Sequence, residues 1–223
     1  MKKIFWSFVL MMLLSIPVLA SKGKQIERLQ ESATVLSEVM NIPEEGIPRD
    51  LLKKSECMVI IPSMKKAAFG VGGNYGRGCL VCRIKDKWSP PVMVVMTGGS
   101  LGFQLGGSST DVILLIMNER GVNKLLESKV TLGADASAAA GPKGRTAQAA
   151  TDVQMRAEIL SYARSRGLFA GVSLQGAVLK PSSEDNEDLY GKKIDYRKVL
   201  YEGGSMPKSA TKLIKVLQKY DQP

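Results

Sequence analysis

Three stretches of the chain set apolar residues alternately with glycine or other small or amide-bearing residues. Phe69, Val71 and Gly73 alternate with Gly70, Gly72 and Asn74. Leu101, Phe103 and Leu105 alternate with Gly102, Gln104 and Gly106. Leu168, Ala170, Val172 and Leu174 alternate with Phe169, Gly171, Ser173 and Gln175. A period of two is the mark of a strand. Glycine inside a strand costs backbone entropy and supplies no packing, so it is kept where a sheet bends sharply or where another backbone comes close. Three such strands predict an α+β fold: a strongly curved, partly closed antiparallel sheet with helices packed on it.

The rest of the pattern places those helices at the two ends. Ile26, Leu29, Ala33, Leu36 and Met40 recur at intervals of three and four, which predicts a helix over residues 25–41 ended by Pro43. A short helix over 47–55 follows, with Pro48 near its start and Lys53 and Lys54 at its end. CMVIIP from Cys57 is a short buried strand, and Gly76-Arg77-Gly78 is the expected turn of a hairpin. Residues 92–97 form a strand, Gly98-Gly99-Ser100 a turn, and 101–107 a strand. Asp111–Met117 is almost wholly apolar, as in a central strand covered on both faces. A helix over 118–128, a segment over 153–163 that fits helix or strand and is read as strand, a turn at Ser165-Arg166-Gly167, an acidic loop over 182–188 and a helix over 207–220 complete the expectation.

Several chemistries are poorly served by this residue set. The chain has no histidine, the commonest general base and metal ligand. GVGGNYG lacks the G-x-G-x-x-G spacing and leads into the strand-like Cys79-Leu80-Val81, whereas dinucleotide sites open a helix there. GPKGRT at 141–146 lacks the Walker spacing. EDNED at 184–188 lacks the spacing and glycine of a calcium loop. Cys79 and Cys82 fit C-x-x-C but have no further ligands for zinc. Three residues apart on a strand, they point to opposite faces, and a bridge from Cys57 to either one is open. Asp111 and Asp135 are the candidate carboxylates of a hydrolase, but no paired-acid geometry can be read. Asp135, in a run of small residues, reads as a buried structural hydrogen-bonding residue.

The N-terminus reads as an export signal: Lys2 and Lys3, an apolar stretch to about Leu14, Pro17, and small residues placing cleavage after Ala20. This divides the chain into a signal peptide, 1–20, and one domain, 21–223, and predicts an exported, periplasmic or envelope-associated protein. Removing residues 1–20 takes Lys2 and Lys3 and no acid, which lowers the formal charge from +10 to +8. That balance nominates anionic lipid, nucleic acid or an acidic polymer as partner.

Four blocks carry a resemblance. SYARSRGLFAGVSLQGAVL (161–179), AFGVGGNYGRG (68–78), TGGSLGFQLGGSSTDVILLIM (97–117) and LGADASAAAGPKGR (132–145) resemble successive signature blocks of SYLF-domain proteins, in the family's order. The resemblance implies a lipid-binding domain without a catalytic centre or cofactor. Eukaryotic relatives bind phosphoinositides and associate with actin at membranes; bacterial relatives are short exported proteins, for which actin is not a sensible partner. The expectation is a non-enzymatic protein of the bacterial envelope that binds anionic phospholipid or phosphoinositide-type headgroups, and not nucleic acid, with a protein partner also admitted. The alternative is an envelope interaction or stress-structural protein without a specific lipid ligand.

Phosphate headgroups call for cations, each contributing on the order of 1 kcal/mol near an anionic surface. The candidates are Lys53, Lys54, Lys65, Lys66, Arg77, Arg164 and Arg166, several at predicted turns where they would gather at one end of the sheet.

Overall fold

A computed structural model describes residues 16–43, 45–69, 71–101, 106–127, 129–144, 154, 156–165 and 168–221. The elements are α1 (Ile16–Met40), α2 (Arg49–Lys54), β1 (Cys57–Phe69), β2 (Val71–Ile84), β3 (Lys87–Trp88), β4 (Val92–Leu101), β5 (Gly106–Ile116), α3 (Glu119–Leu125), β6 (Val130–Thr131), β7 (Ala138–Ala140), β8 (Ile159–Ser165), β9 (Leu168–Gly171), β10 (Val178–Pro181), α4 (Ser183–Tyr190), α5 (Tyr196–Tyr201) and α6 (Thr211–Asp221). A 3₁₀ turn, Lys208–Ala210, leads into α6.

The fold is α+β, with a curled, antiparallel-dominated sheet and helices at both ends of the chain, as expected. The strand order is β6-β10-β4-β2-β1-β5-β8-β7, with β3 on β2 and β9 on β8. Only β7 with β8 is a parallel pair among the described strands. β1 and β2 form a hairpin, with Phe69 facing Val71 at its end. β4 and β5 flank that hairpin on its two outer sides.

One half of each long strand is covered on both faces: the first half of β1 and β4 and the last half of β2 and β5. Met58, Ile60, Cys79, Val81, Ile113 and Leu115 pack against Leu29, Ala33 and Leu36 of α1 and Leu213 and Leu217 of α6. This is the apolar face read from the 25–41 periodicity. On the other side Val59, Ile61, Leu80, Val94, Val112 and Leu114 meet Val122 and Leu125 of α3 and Val199 and Leu200 of α5. The double burial expected of 111–117 therefore holds for Val112–Ile116.

β1 carries a bulge midway. Ile60 faces Cys79 and Lys65 faces Tyr75, so β1 uses one residue more than β2. Ile61 faces Val112 and Met64 faces Thr110, so it also uses one more than β5. Ser63 has φ 50°, and its N–H donates to Asp111 Oδ1 at 2.9 Å. The extra residue bends the strand and exchanges its two faces. The glycines opposite make room for this bend. A Cβ on Gly78 would overlap the carbonyl oxygen of Ile60, and one on Gly76 would overlap the Ile61 side chain.

Several expectations change for that reason. Gly76-Arg77-Gly78 is not a turn but the middle of β2: the glycines admit the bulge of β1. Gly98-Gly99-Ser100 likewise lies within β4, paired along Asn74–Gly72 of β2. The strand expected over 101–107 falls partly on residues 102–105, outside those described, and its end continues as β5. CMVIIP is the start of a 13-residue strand. The strand expected from Val153 begins at Ile159. Residues 182–188 are not a solvated loop: Ser182 caps α4 by accepting from the N–H of Asp185 at 3.3 Å, and Asp185 and Asn186 are buried. Asp135 is exposed, not buried, though its role is structural: its carboxylate accepts the Thr131 N–H at 2.7 Å.

The register settles the cysteines. Cys57 faces Cys82 across β1 and β2, and the two form a disulfide with Cα atoms 4.0 Å apart. Cys79 is free and buried on the opposite face, where burial pushes its thiol up to about 11. The bridge closes a 25-residue separation, so reduction should lower stability by about 3 kcal/mol in a urea titration. Alkylation of the native protein should label no cysteine. Unfolding without reductant should expose Cys79 alone. Gly78→Ala should cost about 2 kcal/mol by overpacking against Ile60. Gly99→Ala, with nothing within 4 Å of the added Cβ, should stay within about 0.5 kcal/mol of the parent.

Candidate functional site

Beyond the bulge the α1-facing side of the sheet is bare. Lys65, Gly73, Tyr75, Gly99 and Ser109 lie there and are exposed. The segments that build this half are also free of acid. No Asp or Glu lies between Glu56 and Asp86, between Asp86 and Asp111, or between Glu158 and Glu184. Lys65, Lys66, Arg77, Arg164, Arg166 and Lys180 all fall within them.

Register decides which of these meet. Lys65 faces Tyr75, and Arg77 lies two residues further along β2 on the same side. Arg77 and Lys180 both face Val95, from β2 and β10, so Lys180 joins that side. Lys65, Arg77 and Lys180 thus share one surface across four neighbouring strands, a width of roughly 14 Å. Lys66 points to the opposite face. Lys53 and Lys54 end α2, just before β1 begins, and are exposed there. The chain from Cys57 to Lys65 spans up to roughly 26 Å of strand, so the two lysine pairs are far apart, one before β1 and one beyond its bulge. Arg166 lies outside the described residues.

The two described arginine candidates are partly engaged. Arg77 donates to Asp185 Oδ1 at 2.8 Å and to the Tyr75 hydroxyl, with its guanidinium 5.7 Å from the Tyr75 ring centroid. The hydrogen bond to Tyr75, with Asp185 adding to it, raises its pKa. Arg164 donates to Asp111 Oδ2 at 2.7 Å and 2.9 Å and also pairs with Glu38 of α1. Burial opposes its charge, but the bonds to Glu38 and Asp111 outweigh burial and raise its pKa. Lys53, Lys54, Lys65, Lys66 and Lys180 are in no ion pair among the described residues.

Asp185 deserves its burial through several partners. Besides Arg77 it accepts from Gln25 Nε2 at 2.7 Å, and Arg28 lies 3.8 Å away. It thereby ties α4 to α1 and β2. At the other end Arg164 ties β8 to α1. The acids of these contacts come from helices and from Asp111 at the bulge, so α1 is held across the sheet between two arginines.

An aromatic ring lies beside the cations: Tyr75, on β2 opposite Lys65, is 45% exposed. Leu168, 79% exposed on β9, is on the other face of the sheet, since its neighbour Phe169 packs on the α1 side. The sequence reading missed Tyr75, Asp185 and Lys180. The Tyr75-x-Arg77 alternation was a signal for the first; the other two depend on β10 and α4 being brought to β4 and β2.

A family model described as "Ysc84: Las17-binding protein actin regulator" matches residues 97–220, more than half of the chain. The chain belongs to the Ysc84 (SYLF) family. It is 31% identical over 204 residues to Protein YSC84 of Saccharomyces cerevisiae, covering 90% of this chain and 43% of that protein. It is 30% identical over 206 residues to the human SH3 domain-containing YSC84-like protein 1, covering 92% and 60%. A Schizosaccharomyces pombe SH3 domain-containing protein is 35% identical over 178 residues, covering 78% and 41%. The chain thus spans about two-fifths to three-fifths of these relatives. No described helix is long and apolar enough to cross a membrane.

Asp185→Asn keeps the side-chain size and removes the charge-assisted part of this junction. It should lower stability by about 2 kcal/mol in urea denaturation.

Proposed function

We propose that this Ysc84-family protein is a non-enzymatic, exported lipid-binding protein. It docks on anionic phospholipid or phosphoinositide-type headgroups with the bare, acid-free half of its sheet. The observation that carries this reading is the shared surface of Lys65, Arg77 and Lys180 with Tyr75 beside them. Cations beside an exposed aromatic ring suit a membrane interface, where charge meets phosphate and the ring reaches the headgroup boundary. Lys65 and Lys180 remain without ion-pair partners among the described residues, so neutralisation by phosphate breaks no internal contact there. Arg77 adds positive potential while staying anchored to Asp185. Export is supported by the N-terminal charge and hydropathy pattern and by the Cys57–Cys82 bridge, which persists in oxidising compartments.

A protein-docking reading is favoured by one finding: relatives include LAS seventeen-binding protein 3 of Saccharomyces cerevisiae, 32% identical over 204 residues. Under that reading the same surface meets an acidic protein of the envelope. Cross-linking in intact cells separates the two, since a single dominant protein adduct with no lipid bound favours the protein partner.

Co-sedimentation with vesicles tests the lipid reading. The protein should pellet more strongly with anionic vesicles than with neutral ones. Binding should fall as salt rises from about 0.05 M to about 0.5 M, because the Debye length shortens. Lys65→Glu with Lys180→Glu should weaken it at least about tenfold. Equal pelleting with both vesicle types, or no effect of the double reversal, overturns the proposal.

A further inference from the structure

At the far end of β2 from Val71, the β2–β3 turn and the segment after α5 enclose a cleft of 610 Å³. This is within the usual range of roughly 300–1,000 Å³ for small-molecule sites. Its walls include Trp88, Pro90, Tyr201 and Met206. Tyr201 and Met206 are 41% and 39% exposed, two of the few large apolar side chains left open among the described residues. The Tyr201 hydroxyl is engaged with Asn123 Oδ1 at 3.0 Å, which fixes its ring at the cleft wall. Trp88 is 4% exposed, with the Arg83 guanidinium 4.5 Å from its ring centroid.

The rim carries the second observation. Lys85 and Lys87 face the same opening as Asp86 and Glu202. All four are exposed and none is in an ion pair among the described residues. A ligand of one charge would meet as much repulsion as attraction there. A ligand bearing both charges would satisfy both pairs. The aromatic ring of Tyr201 beside two carboxylates is a setting for an ammonium group, and two lysines suit a phosphate.

We propose that this cleft binds a zwitterionic amphiphile of the phosphocholine or phosphoethanolamine type. Its chain lies along Trp88, Pro90 and Met206, its phosphate is held by Lys85 and Lys87, and its ammonium by Tyr201, Asp86 and Glu202. This site extends the lipid-binding reading, but it stands at the opposite end of β2 from the basic surface and uses different residues.

The test is calorimetric titration of the full chain with monomeric dodecylphosphocholine. Dodecyl sulfate, dodecyltrimethylammonium and dodecyl maltoside serve as singly charged and neutral comparators. The zwitterion should bind at least about tenfold tighter than each comparator. Asp86→Asn with Glu202→Gln should shift the preference toward dodecyl sulfate, and Lys85→Ala with Lys87→Ala toward dodecyltrimethylammonium. Met206→Glu should weaken binding of the zwitterion. Affinities within about threefold for all four probes, or unchanged preference in both rim variants, overturn the proposal. Lys65→Glu with Lys180→Glu should leave the titration intact while weakening anionic-vesicle binding, so the two sites fail independently. In that same variant, capture by phosphocholine vesicles assigns the ligand to the membrane, and binding of the monomer alone assigns it to free single-chain lipid.

Discussion

The bulge of β1 at Pro62-Ser63 is the constraint on which the remaining architecture depends. It adds one residue against both neighbouring strands, and two polar contacts hold it. The Asp111 carboxylate accepts the Ser63 N–H through one oxygen and the Arg164 guanidinium through the other. Arg164 in turn reaches Glu38. A backbone kink, a sheet carboxylate, a sheet guanidinium and the long N-terminal helix are therefore one connected unit. Because side chains alternate along a strand, one inserted residue changes which side chains face α1. Before the bulge that side is apolar and covered; after it, Lys65 stands there in the open.

This division explains why a single sheet has two different halves. The proximal half is an ordinary layered core with apolar residues on both faces. The distal half is long, glycine-rich and lacks helices on the α1 side. Its glycines are not a nucleotide loop. Two of them make room for the bulge, and another pair, Gly141 and Gly171, lets two backbones approach where a Cβ on Gly171 would overlap the Gly141 carbonyl. The same sparse side chains leave the cations of this half unshielded by neighbouring acids.

The charge pattern divides the molecule further. The arginines near the bulge line are engaged with helix or strand acids, whereas the lysines further out keep their charge for solvent or a partner. Arg77 and Arg164 therefore serve the fold first, and Lys65 and Lys180 carry the exposed potential. At the other end of β2 the cleft around Trp88 shows the opposite arrangement, with both signs of charge at one apolar opening.

Local chemistry alone determined the bent antiparallel sheet, the amphipathic faces of α1 and α6, the doubly buried run at 112–116 and the opposite facing of Cys79 and Cys82. Periodicity and glycine content act over neighbouring residues, so each is visible without knowing what lies across the sheet. Tertiary structure alone decided the rest. Gly76-Arg77-Gly78 carries turn chemistry, and only the close approach of Ile60 turns it into the middle of a strand. The acids at 184–188 look solvated until Arg77 and Gln25 are brought against Asp185. Cys82 was chosen over Cys79 by strand register. Lys180 entered the cation surface because β10 pairs with β4. Each of these depends on contacts between segments far apart in the chain, where long-range pairing overrides local preference.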